Sequence, residues 1–259
     1  MDSLKRHAHR AISVAFVASM ATATAAACSH NDGSVFIAGV LAPPTSSQNG
    51  VCLFQANPSG PFQSGGVMDV ALADRYSPEI LIGNQLVPRG DNANLRVETN
   101  RFIIQGTVVH ITDARGGTLP NGIGDFTIQG GGEVDPAVGG TPGYTAFSPQ
   151  IISSQVAGFM REVFGNARSN TTRRLIAKFK VFGATTGGVS IESMQFEFPV
   201  ETCFGCLVVY PAGSSDPALP LPNCRGGSGT SSTIVVPCAI GSDQSVDCRL
   251  CQGNPACLP

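Results

Sequence analysis

The sequence predicts a mainly β protein: an antiparallel sandwich with one short amphipathic helix, followed by an irregular, disulfide-rich C-terminal tail. Three observations lead there. Late in the chain, residues 177–181 and 194–200 alternate apolar and polar at period two, the signature of strands with one buried and one wet face. Glycine (31) and proline (18) are frequent enough to punctuate many short strands. Seven of the nine cysteines fall in residues 202–259, a density above the roughly 8–10% that marks a disulfide scaffold.

Residues 1–27 read as a secretory signal peptide. Lys5, Arg6 and Arg10 form a basic head, residues 12–20 an apolar core, and residues 22–27 a small-residue exit. The apolar stretch is shorter than the roughly 20 residues of a permanent membrane span. Ala25-Ala26-Ala27-Cys28 is similar to a lipobox, in which the cysteine after the cut receives a diacylglycerol thioether. Leu usually stands where Ala25 does, so ordinary cleavage without lipid stays open. Parity favours the lipid: nine cysteines leave one over in an exported protein, and assigning Cys28 to acyl chains leaves eight for four disulfides.

Residues 28–49 make the lipid attachment, a polar tether and a first strand over 34–41, stopped by Pro43-Pro44. Residues 50–201 are the β-sandwich body. Strands are expected over 67–73, 79–87, 95–99, 102–112 and 125–129, the last broken by Gly130–Gly132. Residues 113–117 and 120–122 carry turn chemistry. From Ile152 the apolar residues fall at Val156, Phe159, Met160, Val163 and Phe164, which is helical spacing. Ser153 or Ser154 is placed to cap that helix and Gly165 to end it. Ala177, Phe179 and Val181 then face one way and Arg174, Lys178 and Lys180 the other. Met194, Phe196, Phe198 and Val200 answer them after a turn at Gly187-Gly188.

Residues 202–259 are the cysteine-rich tail, too rich in Gly, Pro and Ser to bury much apolar surface. Its seven cysteines (Cys203, Cys206, Cys224, Cys238, Cys248, Cys251 and Cys257) are odd in number, so one is expected to pair with Cys52 in the body. Eight cysteines permit 105 pairings, which sequence leaves open.

Composition excludes some classes. The formal charge of −2 becomes more negative once the basic head is removed, unlike the basic face of a nucleic-acid binder. With no Trp and three Tyr there is little to stack on a sugar ring. The pairs Cys203-Phe204-Gly205-Cys206 and Cys248-Arg249-Leu250-Cys251 have the spacing of zinc ligands or redox dithiols, but an oxidising compartment favours structural disulfides, and no metal or cofactor is expected. His110 lies on a strand without a Gly-x-Ser-x-Gly or His-Glu-x-x-His motif, so no catalytic residue is assigned. Residues 90–94 are oxygen-rich but lack the EF-hand spacing and read as a turn. Arg161, Arg168, Arg173, Arg174, Lys178 and Lys180 form a candidate basic patch, with Arg174, Lys178 and Lys180 on one strand; a solvated face explains them as simply.

The layout of residues 25–28, the 34–41 strand, Gly187-Gly188 with 194–200, Cys203-x-x-Cys206 and the cysteine-rich end resembles uncharacterised bacterial cell-envelope lipoproteins. The resemblance implies an immunoglobulin-like sandwich and no catalytic residues. It also implies a place on the periplasmic face of the outer membrane or the cell surface. Ser29 after Cys28 is similar to lipoproteins moved outward from the inner membrane. The expectation is a non-enzymatic, lipid-anchored envelope protein with a structural or binding role. It would meet the membrane through acyl chains on Cys28 and an envelope protein or polymer through its loops, and no nucleic acid. A soluble secreted module is the second reading. An enzyme is the third, and would have to use His110 or tail thiols.

Overall fold

The period-two runs become strands of two sheets that close on one core. The computed structural model describes residues 33–44, 52–91, 95–165, 169–210, 224 and 235–257. Residues 1–27, read above as a signal peptide, together with Cys28, residues 92–94 and Arg168, lie outside the described residues. All described residues belong to one unit, Asp32–Pro259.

The first sheet has the order β2-β1-β4-β7, from Phe62–Gln63 (β2), Val35–Leu41 (β1), Ile80–Asn84 (β4) and Gly143–Phe147 (β7), all antiparallel. The second has the order β3-β10-β8-β5-β6. Its strands are Gly66–Asp69 (β3), Phe196–Phe204 (β10), Ser169–Thr185 (β8), Phe102–Asp113 (β5) and Asp125–Val134 (β6), and Ser190–Glu192 (β9) pairs with β8 beside β10. Val35, Val40, Ile80 and Ile82 of the first sheet join Phe102, Ile111, Phe179 and Phe198 of the second in a single buried cluster. The fold is therefore mainly β. One departure from the antiparallel expectation stands out: β3 and β10 run parallel. They are joined by a long crossover rather than a hairpin, so no tight turn forces opposite directions.

β8 carries the alternation the sequence shows. Leu175, Ala177, Phe179 and Val181 are buried, and Phe179 meets Phe196 at a ring-centroid distance of 5.6 Å. Met194, expected on the buried face, is 64% exposed. Ser193 breaks the strand there: its N–H donates to the Val181 carbonyl (2.8 Å) and its hydroxyl accepts from the Val181 N–H (3.0 Å).

β6 runs straight through Gly130–Gly132, where a break was expected. The reason lies in its neighbour. β5 shifts register between Ile104 and Gly106, and the glycines absorb the mismatch opposite it. The shift also changes the phase of burial in β5, from Phe102 and Ile104 to Val109 and Ile111. Residues 95–99 form no strand. Leu95 and Val97 are exposed, and the Glu98 carboxylate accepts the N–H groups of Arg89, Gly90 and Asn100, which removes donors a ladder would need.

The expected helix is α1, Ser154–Phe164. The Ser153 hydroxyl accepts from the Val156 N–H (3.4 Å), and Gly165 ends the helix at φ 67. Val156, Ala157 and Met160 are buried against the core, and Arg161 donates to the carbonyls of Val70 (2.6 Å) and Ala73 (3.0 Å). Among the described residues no helix is long and apolar enough to cross a membrane.

In the tail, Val246–Asp247 (β12) pairs parallel with Val208–Val209 (β11). The eight cysteines form Cys52–Cys238, Cys203–Cys206, Cys224–Cys248 and Cys251–Cys257. The tail cysteine that reaches the body is thus Cys238. The two C-x-x-C pairs differ: one closes on itself, and the other sends Cys248 and Cys251 to different partners.

Candidate functional site

The tail closes one side of a cavity of about 520 Å³, within the range of small-molecule sites. β1 and the residues after it supply Leu41 and Pro43, β2 supplies Gln63, and the entry to β4 supplies Ser77, Pro78 and Glu79. Ser148 follows β7. The Cys52–Cys238 disulfide forms a wall with Leu53 and Phe54 beside it, and Ala239, Ser242 and Asp243 complete the lining. Glu79 and Asp243 are the charged groups among these residues, and both are acidic.

Asp243 is held from several sides. Its backbone has φ 58, a conformation Asp tolerates better than most residues. Its N–H donates to the Val67 carbonyl (2.9 Å), and the Val67 N–H donates back to its carboxylate (2.8 Å). The Tyr76 hydroxyl donates to both carboxylate oxygens at 2.8 Å, and the Gln63 amide lies 3.4 Å from one of them. Tyr76 itself is fully buried. Gly66 leaves room for its ring, since a Cβ there would overlap the phenol and reach Phe198 at 3.0 Å.

Burial sets the titration of these groups. It pushes the Asp243 carboxyl above its ordinary value, and the hydrogen bonds from Val67, Tyr76 and Gln63 pull only partly back. Burial likewise raises Glu79 against the pull of the Ser148 hydroxyl. Tyr76 is held far above the usual phenol range, first by burial and then by the charge of Asp243. The cavity therefore offers two carboxyls that ionise reluctantly, with apolar side chains at Leu41, Pro43 and Phe54 and hydroxyls at Ser77, Ser148 and Ser242. A cation entering it would meet carboxylates without a competing protein cation in the lining.

The residues singled out from sequence lie elsewhere, apart from Cys52 and Cys238. Arg174, Lys178 and Lys180 do share one face of β8, but each meets a carboxylate from β9 or β10: Glu201 at 2.5 Å, Glu197 at 3.2 Å and Glu192 at 3.9 Å. Among the described residues, these three cations of the face carry their own counter-charges. Arg161 is turned to the Val70 and Ala73 carbonyls. His110 bonds Asp125 across the β5–β6 pair and sits opposite Lys178 on β8. It is a member of the same charged row. At residues 90–94, Gly90 and Asp91 are described; the Gly90 N–H serves Glu98, and Asp91 bridges to Arg96.

Gln63, Tyr76, Glu79 and Asp243 carried no sequence signal. They belong to no spaced motif, and 167 residues separate Tyr76 from Asp243. The one available hint was the odd cysteine count of the tail, which required a bond to Cys52 and so brought the tail to this part of the body. Comparison with protein-family models, with curated proteins and with solved structures finds no match to this chain.

Proposed function

We propose that this chain is an exported, lipid-anchored envelope protein that binds a small organic cation, an amine with an apolar body, in the cavity beside Cys52–Cys238. The observation that carries the proposal is the lining: two part-buried carboxyls, Glu79 and Asp243, beside the apolar side chains of Leu41, Pro43 and Phe54 and with no basic residue. Bringing an ammonium group to such carboxylates in a partly dry site is favourable, because the attraction is screened less than in water. Four supports bear on export and anchoring: the basic-apolar-small N-terminus, the lipobox-like residues 25–28, the four disulfides, and the pairing of all eight other cysteines, which leaves Cys28 the odd one.

The test uses two probes of similar size, phenethylamine and phenylacetate, added to the mature protein while its chemical shifts are followed. The amine is expected to move resonances of Leu53, Phe54 and Ala239, and the acid to leave them in place. Glu79→Gln with Asp243→Asn should abolish the amine response. Equal responses to both probes would refute a cation site.

Ala25 in place of the usual Leu favours a second reading, a soluble secreted module cleaved without lipid. Intact mass of the protein from the membrane fraction separates the two. A mass beginning at Cys28 with acyl groups supports the anchor, and an unmodified chain in the medium supports the soluble form.

A further inference from the structure

Cys203 and Cys206 close the shortest of the four loops, three residues apart against 186 for Cys52–Cys238. On the chain-entropy model a loop this short restrains the unfolded chain least, so this disulfide contributes least to holding the fold. The turn it closes is held by other means. The carboxylate of Asp69, itself fully buried, accepts the N–H groups of Gly205 (2.7 Å) and Leu207 (3.0 Å), one on each side of Cys206. The Val70 N–H donates to the Cys203 carbonyl (2.9 Å), and Gly205 takes the positive φ of 76 that the turn requires. None of these bonds needs the sulfur–sulfur link. Cutting it would leave the two sulfurs facing each other.

The two sulfurs are also unequal. Cys203 is fully buried, whereas Cys206 is exposed, the one exposed cysteine among the eight paired ones. An incoming thiolate can reach Sγ of Cys206 and not Sγ of Cys203. The buried sulfur has a place for a proton once released, because the Met68 carbonyl oxygen lies 3.7 Å from it.

We infer that Cys203–Cys206 is an exchange-competent disulfide that accepts two electrons from a protein dithiol, while the other three disulfides are structural. A thiolate of the dithiol attacks Sγ of Cys206. The Cys203–Cys206 bond breaks, its electron pair goes to Cys203, and that sulfur takes up a proton toward the Met68 carbonyl. The second thiolate of the dithiol then attacks the dithiol's first sulfur, the one bonded to Cys206 in the mixed disulfide, and releases Cys206, which is protonated from water. The dithiol has become a disulfide, the Cys203–Cys206 pair has become two thiols, and two protons have passed with the two electrons. Asp69 is a positioning residue here, holding the turn through both states. This inference does not depend on the cation site.

The experiment equilibrates the full chain in a graded series of reduced and oxidised glutathione, quenches in acid, and maps alkylated cysteines by peptide mass. Cys203 and Cys206 are expected to become labelled together while Cys52, Cys224, Cys238, Cys248, Cys251 and Cys257 stay protected. The midpoint of thermal unfolding should shift by less than about 4 °C at that stage. A reduced dithiol peptide should be oxidised by the wild type and not by the Cys203→Ser/Cys206→Ser variant, which should fold with the same three remaining disulfides. The inference is overturned if this pair is reduced with or after the others. It is equally overturned if its reduction unfolds the chain or the double variant fails to fold.

Discussion

Asp243 and Tyr76 form a bond that reaches from the tail into the core, and its chemistry is set by burial. Because burial raises the Asp243 carboxyl above its ordinary 3.8, the folded chain takes up this proton more readily than the unfolded one. Its contribution to stability is thus fully present below that ordinary value and is lost as pH rises through the raised folded value. Glu79 acts in the same direction from 4.5. Asp243→Asn should flatten this part of the profile, so thermal midpoints of variant and wild type should converge at acid pH and separate on going toward neutral, with the variant gaining relative to wild type. Parallel curves would show that Asp243 does not titrate in this window. Gly66 is a second test at this scale. Its absent side chain makes room for Tyr76 and Phe198, and Gly66→Ala should cost about 1–3 kcal/mol of overpacking, measured by urea unfolding. Neither residue was legible in the sequence. Their roles depend on neighbours far along the chain, whereas a serine cap at 153 or 154 and the Gly165 stop were legible because capping is settled within one turn.

Elements were readable in proportion to how locally their pattern is fixed. α1 shows its period over three turns and both ends. β8 and β10 show theirs because each has one dry and one wet face. β5 was found, but its register shift at Ile104 and Gly106 was not, since a bulge is a property of the pair and not of one strand. The same shift explains why β6 continues through three glycines. β7, Gly-Tyr-Thr-Ala-Phe, is half-buried along its whole length and has no alternation to read. The charged row on β8 was legible as residues but not as a balance of charge, because a count of Lys and Arg along one strand omits Glu192, Glu197 and Glu201, which the fold places beside it. These solvent-accessible pairs, each with at least one exposed partner, should matter little to stability. Lys178→Ala is expected to cost no more than about 1 kcal/mol in urea unfolding, a ceiling that a larger loss would contradict. Ser153→Ala should cost about 0.5–1 kcal/mol by the same measurement through its lost cap.

At the scale of the whole molecule the tail is less an appendage than a wall. The Met68–Ser242 bridge, the Gly241 carbonyl accepting from Asp69, and the Gln244 amide donating to Pro44 lay residues 241–244 along β3 and the end of β1. Cys52–Cys238 then fixes this arrangement from the other side. Cys52→Ser with Cys238→Ser should lower stability by about 2–5 kcal/mol in urea unfolding and remove the amine response of the cavity. That one tail cysteine must reach Cys52 was legible from parity. Which one was not, because pairing is decided by the folded chain. The cavity was not legible at all, being formed by segments that meet only once the tail is docked.

The most direct test of the proposed cation site is calorimetric titration of phenethylamine into the purified protein at pH 5 and pH 7.5, in buffers of different ionisation heat. An ammonium group that binds beside Glu79 and Asp243 draws both carboxyls toward their charged forms, so binding should release protons at the lower pH and tighten at the higher. Identical affinity at both pH values with no proton release would contradict the account.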